Sequence, residues 1–245
     1  MKYLPVCVFL ATFTFGAKLP STFTKCNPKQ SDFQQCLTKA IESAVRQLTR
    51  PIKEVNLPNM KPLEIPSMII GEGSGPVATK QIFKNMNASG YDEITCSKAE
   101  LDFNTKKLNL TCLIPTFRMD FEYEMSGRIL VLPVVGKGPG WIVLHDFNLG
   151  LIFDLEEYQK KGKKYFRATG HHLTITPRLI EVKLDNLFDG DKALGDNLNK
   201  VMNDNWEALF ADVKPSYEEG FGSVYASIFN RLLAKVPVSE LFSDG

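Results

Sequence analysis

Imidazole groups are the first candidates for chemistry in this chain, because histidine serves both as a metal ligand and as an acid or base near neutral pH. The sequence of 245 residues holds three, His145, His171 and His172. His171 and His172 are adjacent in a segment with strand-like alternation, so their side chains would point to opposite faces and could not grip one metal ion. His145 interrupts an apolar stripe, either as a hydrogen-bonded core residue or as a polar group inside a cavity. We therefore predict no metal site and no cofactor.

Nucleophilic serines and phosphate-binding loops are the next candidates. The glycine-rich run at residues 71–76 lacks the lysine and the following hydroxyl of a phosphate loop and leads into a predicted strand, so we interpret it as a turn. Ser74 and Ser223 are not flanked as a nucleophile elbow requires. Because no nucleophile and base stand in a recognisable arrangement, we predict that the protein is not an enzyme.

The first residues predict the compartment. Lys2 precedes an apolar run at residues 3–15, and Gly16 permits cleavage just after it, which is typical of a secretory signal. We expect residues 1–17 to be removed and residues 18–245 to form one secreted, extracellular domain. No later stretch approaches the roughly 20 apolar residues that a spanning helix needs, so we expect no stable membrane insertion.

Two further features fit a secreted chain. Cys7 leaves with the signal, and Cys26 and Cys36 are close enough in sequence to form a disulfide that closes a short loop. The sequons at Asn87 and Asn109 predict exposed glycosylation sites.

The remaining two cysteines, Cys96 and Cys112, fall on two predicted strands of one hairpin. A turn at residues 104–107 would place Cys112 opposite Ala99. Cys96 would then lie roughly 10 Å away, beyond the ~7 Å that a disulfide tolerates between Cα atoms. We expect both thiols to be free, unless a bulge shifts the register.

The charge balance limits the possible partners. Lysine and arginine together number 29, and aspartate and glutamate 28. Nucleic acid or an anionic membrane as main partner would select a basic face, so neither is expected. We expect a monomer.

Two amphipathic helices frame the chain. The first is predicted over residues 31–48, with Ser31 and Gln34 as a capping box. The second covers residues 191–236, where apolar residues keep helical spacing; Asp191 caps its start and Pro215 predicts a kink or break.

Residues 65–185 alternate with period two and are divided by turn signals, which is typical of an antiparallel sheet with one apolar face. Such a sheet must curl around apolar elements, and the two helices are available. Its large apolar side chains either fill a core or leave a lumen for a ligand, and the alternation alone favours the filled core.

Several stretches resemble one known family. The matching stretches are GSGPV (73–77), GRILVLPVVGKG (127–138), LDNLFDGDKALGDNLNKVMNDNW (184–206) and KVPVSELF (235–242), together with the paired cysteines Cys26 and Cys36. They resemble the takeout and juvenile hormone binding protein family of insects over essentially the whole mature chain.

That resemblance implies a single α+β domain in which a strongly curved antiparallel β-sheet wraps a long C-terminal α-helix, a tubular lipid-binding type with an internal hydrophobic tunnel. Relatives carry small apolar ligands such as juvenile hormone, fatty acids or other lipids. The hormone-carrier branch has a second disulfide late in the chain, whereas this sequence has no cysteine after Cys112. The takeout branch is therefore favoured.

We accordingly expect a secreted carrier of an elongated hydrophobic ligand, such as a fatty acid, lipid, terpenoid or juvenile-hormone-like molecule. The alternative is a membrane- or lipopolysaccharide-binding protein on a related tubular scaffold, which would need a basic tip. The residues expected to line the ligand site are Phe33, Leu37, Ile41, Phe121, Tyr123, Trp141, Val143, Phe147 and Phe229.

Overall fold

The structure, a computed structural model, describes residues 17–71 and 75–243. This part of the chain forms one seven-stranded antiparallel sheet and four α-helices, which confirms the predicted α+β class. The strands are β1 (Leu63–Ile70), β2 (Val77–Ser89), β3 (Thr95–Asp102), β4 (Lys107–Ile129), β5 (Leu132–Lys160), β6 (Lys163–Thr176) and β7 (Leu179–Leu184). The helices are α1 (Phe33–Gln47), α2 (Lys192–Asp204), α3 (Trp206–Leu233) and α4 (Val238–Leu241).

β4 pairs along its whole length with β5 as far as Asp154, and the other strands join one half or the other of this ribbon. β2 and β7 flank the half nearest the β4–β5 turn, with β1 outside β2. β3 and β6 flank the opposite half. The sheet therefore has two halves, the β2/β7 half and the β3/β6 half, that share only β4 and β5.

The inward-facing positions change parity where the two halves meet. On β4 the buried side chains are at even positions up to Ile114 and at odd positions from Phe117 onward. On β5 the same change falls between Leu144 and Phe147, directly opposite in the register. Asp146 lies there with φ 47°, a left-handed conformation that a regular strand does not contain. The apolar face thus continues through the junction although the simple alternation does not.

The C-terminal helix predicted over residues 191–236 is divided at Asn205, where φ is −120° and ψ is 21°. Asp191 caps α2 as predicted, accepting a hydrogen bond from the backbone N–H of Leu194 at 3.0 Å. The division was expected at Pro215, but that residue lies within the 28 residues of α3. Packing of the buried stripe of α3, which includes Val213 and Tyr217, holds the helix together in spite of the one backbone hydrogen bond that proline removes.

Helix side chains cover the free edges of the sheet. Asn199 of α2 bonds both backbone groups of Leu184, its oxygen accepting at 2.8 Å and its nitrogen donating at 2.8 Å. Asn203 does the same for Val182, at 2.9 and 2.8 Å, and Asn230 of α3 for a residue of β6. Four helix residues rise about 6 Å and two strand residues about 6.6 Å, so amides at this spacing match the edge of a strand.

The first helix uses the same device on β3. Gln34 was predicted to close a capping box with Ser31, but its amide instead bonds both backbone groups of Leu101, at 2.9 and 3.1 Å. Thr38 accepts from the N–H of Ala99 at 2.9 Å. The helix begins at Phe33, and no side chain caps its first turn, so the capping-box prediction is wrong. An exposed strand edge outcompetes a helix end for the glutamine amide.

Two disulfides are present. Cys26 and Cys36 are joined as predicted, with their Cα atoms 5.8 Å apart. The prediction of free thiols at Cys96 and Cys112 is wrong, because the two residues stand opposite each other on β3 and β4 and are bonded. The hairpin closes between Asp102 and Lys107, so Ala99 stands opposite Leu110 and not opposite Cys112, which moves the register by two residues. A bulge between Cys96 and Lys98 moves it by one more and brings the two cysteines together.

The predicted signal, residues 1–17, lies outside the described residues except for Ala17, whose N–H donates to the carbonyl of Lys235 at 3.0 Å. Across residues 17–71 and 75–243, no helix is long and apolar enough to cross a membrane.

Candidate ligand-binding site

Two apolar cavities lie between the sheet and the helices, one under each half of the sheet. The α2 cavity lies under the β2/β7 half and is closed by α2 and the first part of α3. The α1 cavity lies under the β3/β6 half and is closed by α1 and the last part of α3. Each encloses about 980 Å³ of atom-free space, part of it open to solvent.

The α2 cavity combines apolar walls with a few polar atoms. The hydroxyl of Tyr217 donates to Oε1 of Gln81 at 3.1 Å, and Nε2 of Gln81 donates to the hydroxyl of Thr79 at 3.2 Å. Tyr123 donates its hydroxyl hydrogen to the carbonyl of Asp185 at 2.7 Å. The apolar walls include Phe83, Met119, Met125, Ile142, Leu144, Ile180, Val182, Met202, Leu209, Phe210 and Val213.

The α1 cavity is more uniformly apolar. The disulfide between Cys96 and Cys112 forms part of its wall. Its tyrosines, Tyr91 and Tyr225, bond each other through their hydroxyls at 3.0 Å and so satisfy their own polar atoms. The rest of the wall includes Phe23, Ile41, Val45, Leu48, Met60, Leu110, Leu149, Leu151, Ile228, Phe229 and Leu232.

An aromatic cluster, which we call the partition, separates the two cavities at the junction of the sheet halves. Phe117, Phe147 and Phe221 line the α2 side, whereas Tyr91 and Tyr225 line the α1 side. Ring centroids are 4.9 Å apart for Phe117 and Phe147, and 5.3 Å for Tyr91 and Phe117. Phe117 and Phe147 are almost completely buried and are the first inward residues beyond the parity change.

The buried tyrosine hydroxyls stay protonated at neutral pH. Burial, together with the negative charge of Asp185, raises the pKa of Tyr123 to about 12. Burial also raises the pKa of Tyr91, Tyr217 and Tyr225 well above the ordinary value. The hydroxyls are therefore neutral hydrogen-bonding groups. No cluster of histidine, cysteine, aspartate or glutamate suited to a metal ion occurs within residues 17–71 and 75–243.

Four of the nine residues predicted to line the site do line a cavity. Tyr123 and Phe147 contribute to the α2 cavity, and Ile41 and Phe229 to the α1 cavity. Alternation along β4 and β5 places Tyr123 and Phe147, and the helical stripes of α1 and α3 place Ile41 and Phe229.

Trp141 and Val143 face away from both cavities, so their predicted inward placement is wrong. In the register Trp141 is opposite Asp120 and Val143 is opposite Arg118, on the outer face. The Arg118 guanidinium lies 5.1 Å from the centre of the Trp141 ring. The predicted alternation runs in one phase from Trp141 to Phe153, whereas the parity change inverts the positions before Phe147.

The other three predicted residues face inward but pack elsewhere. Phe33 is buried against Phe103 and Phe242, with ring centroids 5.9 Å apart in both pairs. Leu37 is partly buried against the core. Phe121 packs edge-on against Phe83 at 4.6 Å and lies over Gly140, where any Cβ would come within 2.9 Å of the Phe121 ring. These side chains fill space beside the cavities.

The sequence patterns did not predict the cavity walls formed by β7 and by most of α3, nor the tyrosines of the partition. One feature of the sequence does indicate the parity change, because His145 breaks the apolar stripe there. His145 lies on the outer face and contacts Glu181 at 2.6 Å, so it is neither a core residue nor a polar group inside a cavity.

The neighbouring histidines point to opposite faces as predicted. His171 packs against α3, where a Cβ at Gly222 would come within 2.3 Å of its ring, and His172 is exposed. Of the two sequons, Asn87 is exposed, whereas Asn109 is half-buried. The expectation of an exposed site thus fits Asn87 and not Asn109.

Comparison with known proteins agrees with this architecture. The sequence model of the family described as haemolymph juvenile hormone binding protein matches residues 4–243. The chain belongs to this family. This membership confirms the resemblance of the sequence to the takeout and juvenile hormone binding proteins. The family suggests a protein that binds and carries hydrophobic ligands.

Relatives within the juvenile hormone binding protein family support the same assignment. The circadian clock-controlled protein daywake of Drosophila melanogaster is 26% identical over 231 residues, covering 91% of this chain and 88% of that protein. Daywake of Drosophila yakuba is 25% identical over the same coverage. The crystal structure of Epiphyas postvittana Takeout 1 has a TM-score of 0.77 at 22% identity and covers 90% of this chain and 99% of that one. That likeness shows a shared fold.

Proposed function

We propose that this protein is a secreted, monomeric carrier that binds small elongated hydrophobic molecules in the α2 and α1 cavities. The observation that carries the proposal is the pair of apolar cavities, lined almost wholly by aliphatic and aromatic side chains, between the sheet and the helices. Membership of a family described as juvenile hormone binding supports it. Catalysis is not part of the proposal.

The energetics of such binding are favourable. Burial of a methylene contributes about 0.8 kcal/mol, so a chain of roughly a dozen carbons gains on the order of 10 kcal/mol before ordering costs are subtracted. Ordering costs are lowest for a ligand that enters a preformed site. A tight, reversible complex follows.

The lining favours ligands that carry no charge. Within the described chain, Glu124 of the α2 cavity is the one charged residue in either lining, and no lysine or arginine contributes. Ionised carboxylate ends would therefore lose hydration without gaining a partner. Terpenoids, alcohols and esters fit best, and a fatty acid would bind in its protonated form or keep its carboxylate at the solvent-exposed mouth.

Two disulfides support export to an oxidising compartment, because such bonds persist there and are rare in the cytosol. The predicted signal over residues 1–17 and the sequon at Asn87 agree with secretion.

Extraction of the native, secreted protein followed by mass spectrometry tests the proposal. We expect an apolar molecule of about a dozen or more carbons to be recovered in a fixed ratio to protein. After its removal, dodecanol should displace a fluorescent apolar probe from the full chain. Recovery of no apolar molecule, together with no displacement, would refute the proposal.

A further inference from the structure

The turn between β4 and β5 exposes an unusual concentration of aliphatic side chains. Six large apolar residues are prominently exposed in the described chain, and three of them, Val131, Leu132 and Val135, occur within five positions here. Val131 is 85% exposed, Leu132 42% and Val135 49%. We call residues 130–137 the hairpin tip. Clustered exposed apolar side chains of this kind mark an interaction surface.

The turn itself does not account for these residues. Leu130 and Val131 form a two-residue turn, and Leu130 has φ 54°. Asparagine and glycine are the residues that such a turn favours, because a branched or bulky side chain is strained at positive φ. Aliphatic residues at this turn therefore serve something other than turn formation.

Three cations surround the exposed aliphatic residues. Lys80 and Arg128 lie on the outer face beside the hairpin tip, and Lys137 lies on it. All three are exposed and form no ion pair with any residue in the ranges 17–71 and 75–243. Glu124, which stands opposite Lys137, approaches Lys84 at 3.8 Å. The surface thus combines apolar side chains with a net positive charge.

The hairpin tip also adjoins the α2 cavity. Ile129, the last residue of β4, lines that cavity and pairs with Leu132 of the hairpin tip. Val77, which stands opposite Ile129 on β2, also lines it. A surface bound at the hairpin tip would therefore lie against the end of the α2 cavity.

We propose that the hairpin tip docks reversibly on an anionic lipid bilayer. Val131 and Leu132 enter the headgroup region, and Lys80, Arg128 and Lys137 contact lipid phosphates and carboxylates. A few aliphatic side chains and three cations give attachment that is weak and salt-sensitive, as a shuttling protein requires. Docking itself does not depend on carrier activity. Its use, which is the exchange of ligand between the bilayer and the α2 cavity, rests on the proposed function.

Sedimentation of the full secreted chain with lipid vesicles tests the proposal. Vesicles of phosphatidylcholine with phosphatidylserine should bind the protein at low salt and release it at high salt, and vesicles of phosphatidylcholine alone should bind it less. Replacing Lys80, Arg128 and Lys137 together by glutamine should lower partitioning at least about tenfold.

The apolar contribution is tested by Val131→Ser combined with Leu132→Ser, which should also lower partitioning. Matched controls lie elsewhere on the surface: Leu194→Ser for the apolar pair, and glutamine at Lys29, Lys39 and Lys53 for the cations. The controls should bind vesicles like the parent chain. Every variant should keep its thermal midpoint and its dodecanol binding in solution, which separates docking from carrier activity.

Absence of salt-sensitive binding to anionic vesicles would overturn the proposal, as would equal losses in the tip variants and their controls. Self-association in solution that the tip variants abolish, without vesicle binding by the parent chain, would instead assign the hairpin tip to a second copy and equally overturn it.

Discussion

The α2 cavity and the α1 cavity both lie between the sheet and the helices, but their linings differ in chemistry. The α2 cavity presents the polar side chains of Gln81 and Tyr217. In the α1 cavity the two tyrosine hydroxyls bond each other, and a disulfide forms part of the wall. The difference suggests that the α2 cavity selects ligands by a polar end, and that the α1 cavity selects only by shape and length.

Removal of the partition is the strongest test of whether the two cavities are separate. Phe117→Ala should join the two cavities and cost about 3–5 kcal/mol in free energy of unfolding, because Phe117 is 1% exposed. The longest alcohol that binds should gain several carbons. Urea unfolding and a chain-length series measure both effects, and Phe103→Ala, at a residue 42% exposed, is the control. An unchanged chain-length limit would show that Phe117 does not divide the cavities.

Removal of the second disulfide should affect the α1 cavity alone. Cys96→Ser with Cys112→Ser should lower the free energy of unfolding by about 2–4 kcal/mol, because the bond closes a loop with a sequence separation of 16. Ligand binding should weaken in the α1 cavity and persist in the α2 cavity. Equal weakening in both would contradict the independence of the two halves.

The edge contact of α2 offers a corresponding change in the other half. Asn203→Ala leaves the N–H and carbonyl of Val182 without their partner, at a cost of about 1–3 kcal/mol. Hydrogen exchange should quicken in β7 and remain slow in β3. Lys200→Ala, an exposed change on the same helix, is the control. Uniform quickening across the sheet would indicate that the halves unfold together.

The smallest expected effect concerns ligand selection. Tyr217→Phe removes the hydroxyl that donates to Gln81, and a polar end group bound there should lose about 0.5–1.5 kcal/mol. Dodecanol should bind several-fold more weakly and dodecane unchanged. Tyr225→Phe, in the partition, should leave the ratio of the two affinities as it was. A change in dodecane affinity equal to that of dodecanol would rule out a polar role for Tyr217.

The fold was largely predictable because its hydrophobic patterns lie within single, long secondary-structure elements. Alternation along β4 and helical spacing in α1, α2 and α3 fix which faces are buried. The family resemblance, carried by the block around Asn199 and Asn203, supplied the wrapped arrangement. That block is distinctive for a physical reason, since its asparagines bond the edge of β7.

The candidate site was predictable only in part, because three of its determinants are not local. The parity change at Asp146 requires knowledge of the opposite strand, and it reversed Trp141 and Val143. The bulge that joins Cys96 to Cys112 shifts a register by one residue, which no composition reveals. The partition brings together side chains from both halves of the sheet and from α3.

Native mass spectrometry of the delipidated chain with excess decanol tests the central claim, two separate apolar cavities, most directly. We expect two bound molecules per chain. Val182→Trp should fill the α2 cavity and Ile41→Trp the α1 cavity, each leaving one bound molecule, whereas Lys183→Trp and Lys39→Trp, exposed neighbours on the same elements, should leave two. A single bound molecule, displaced by either cavity substitution, would contradict the account and indicate one continuous tunnel.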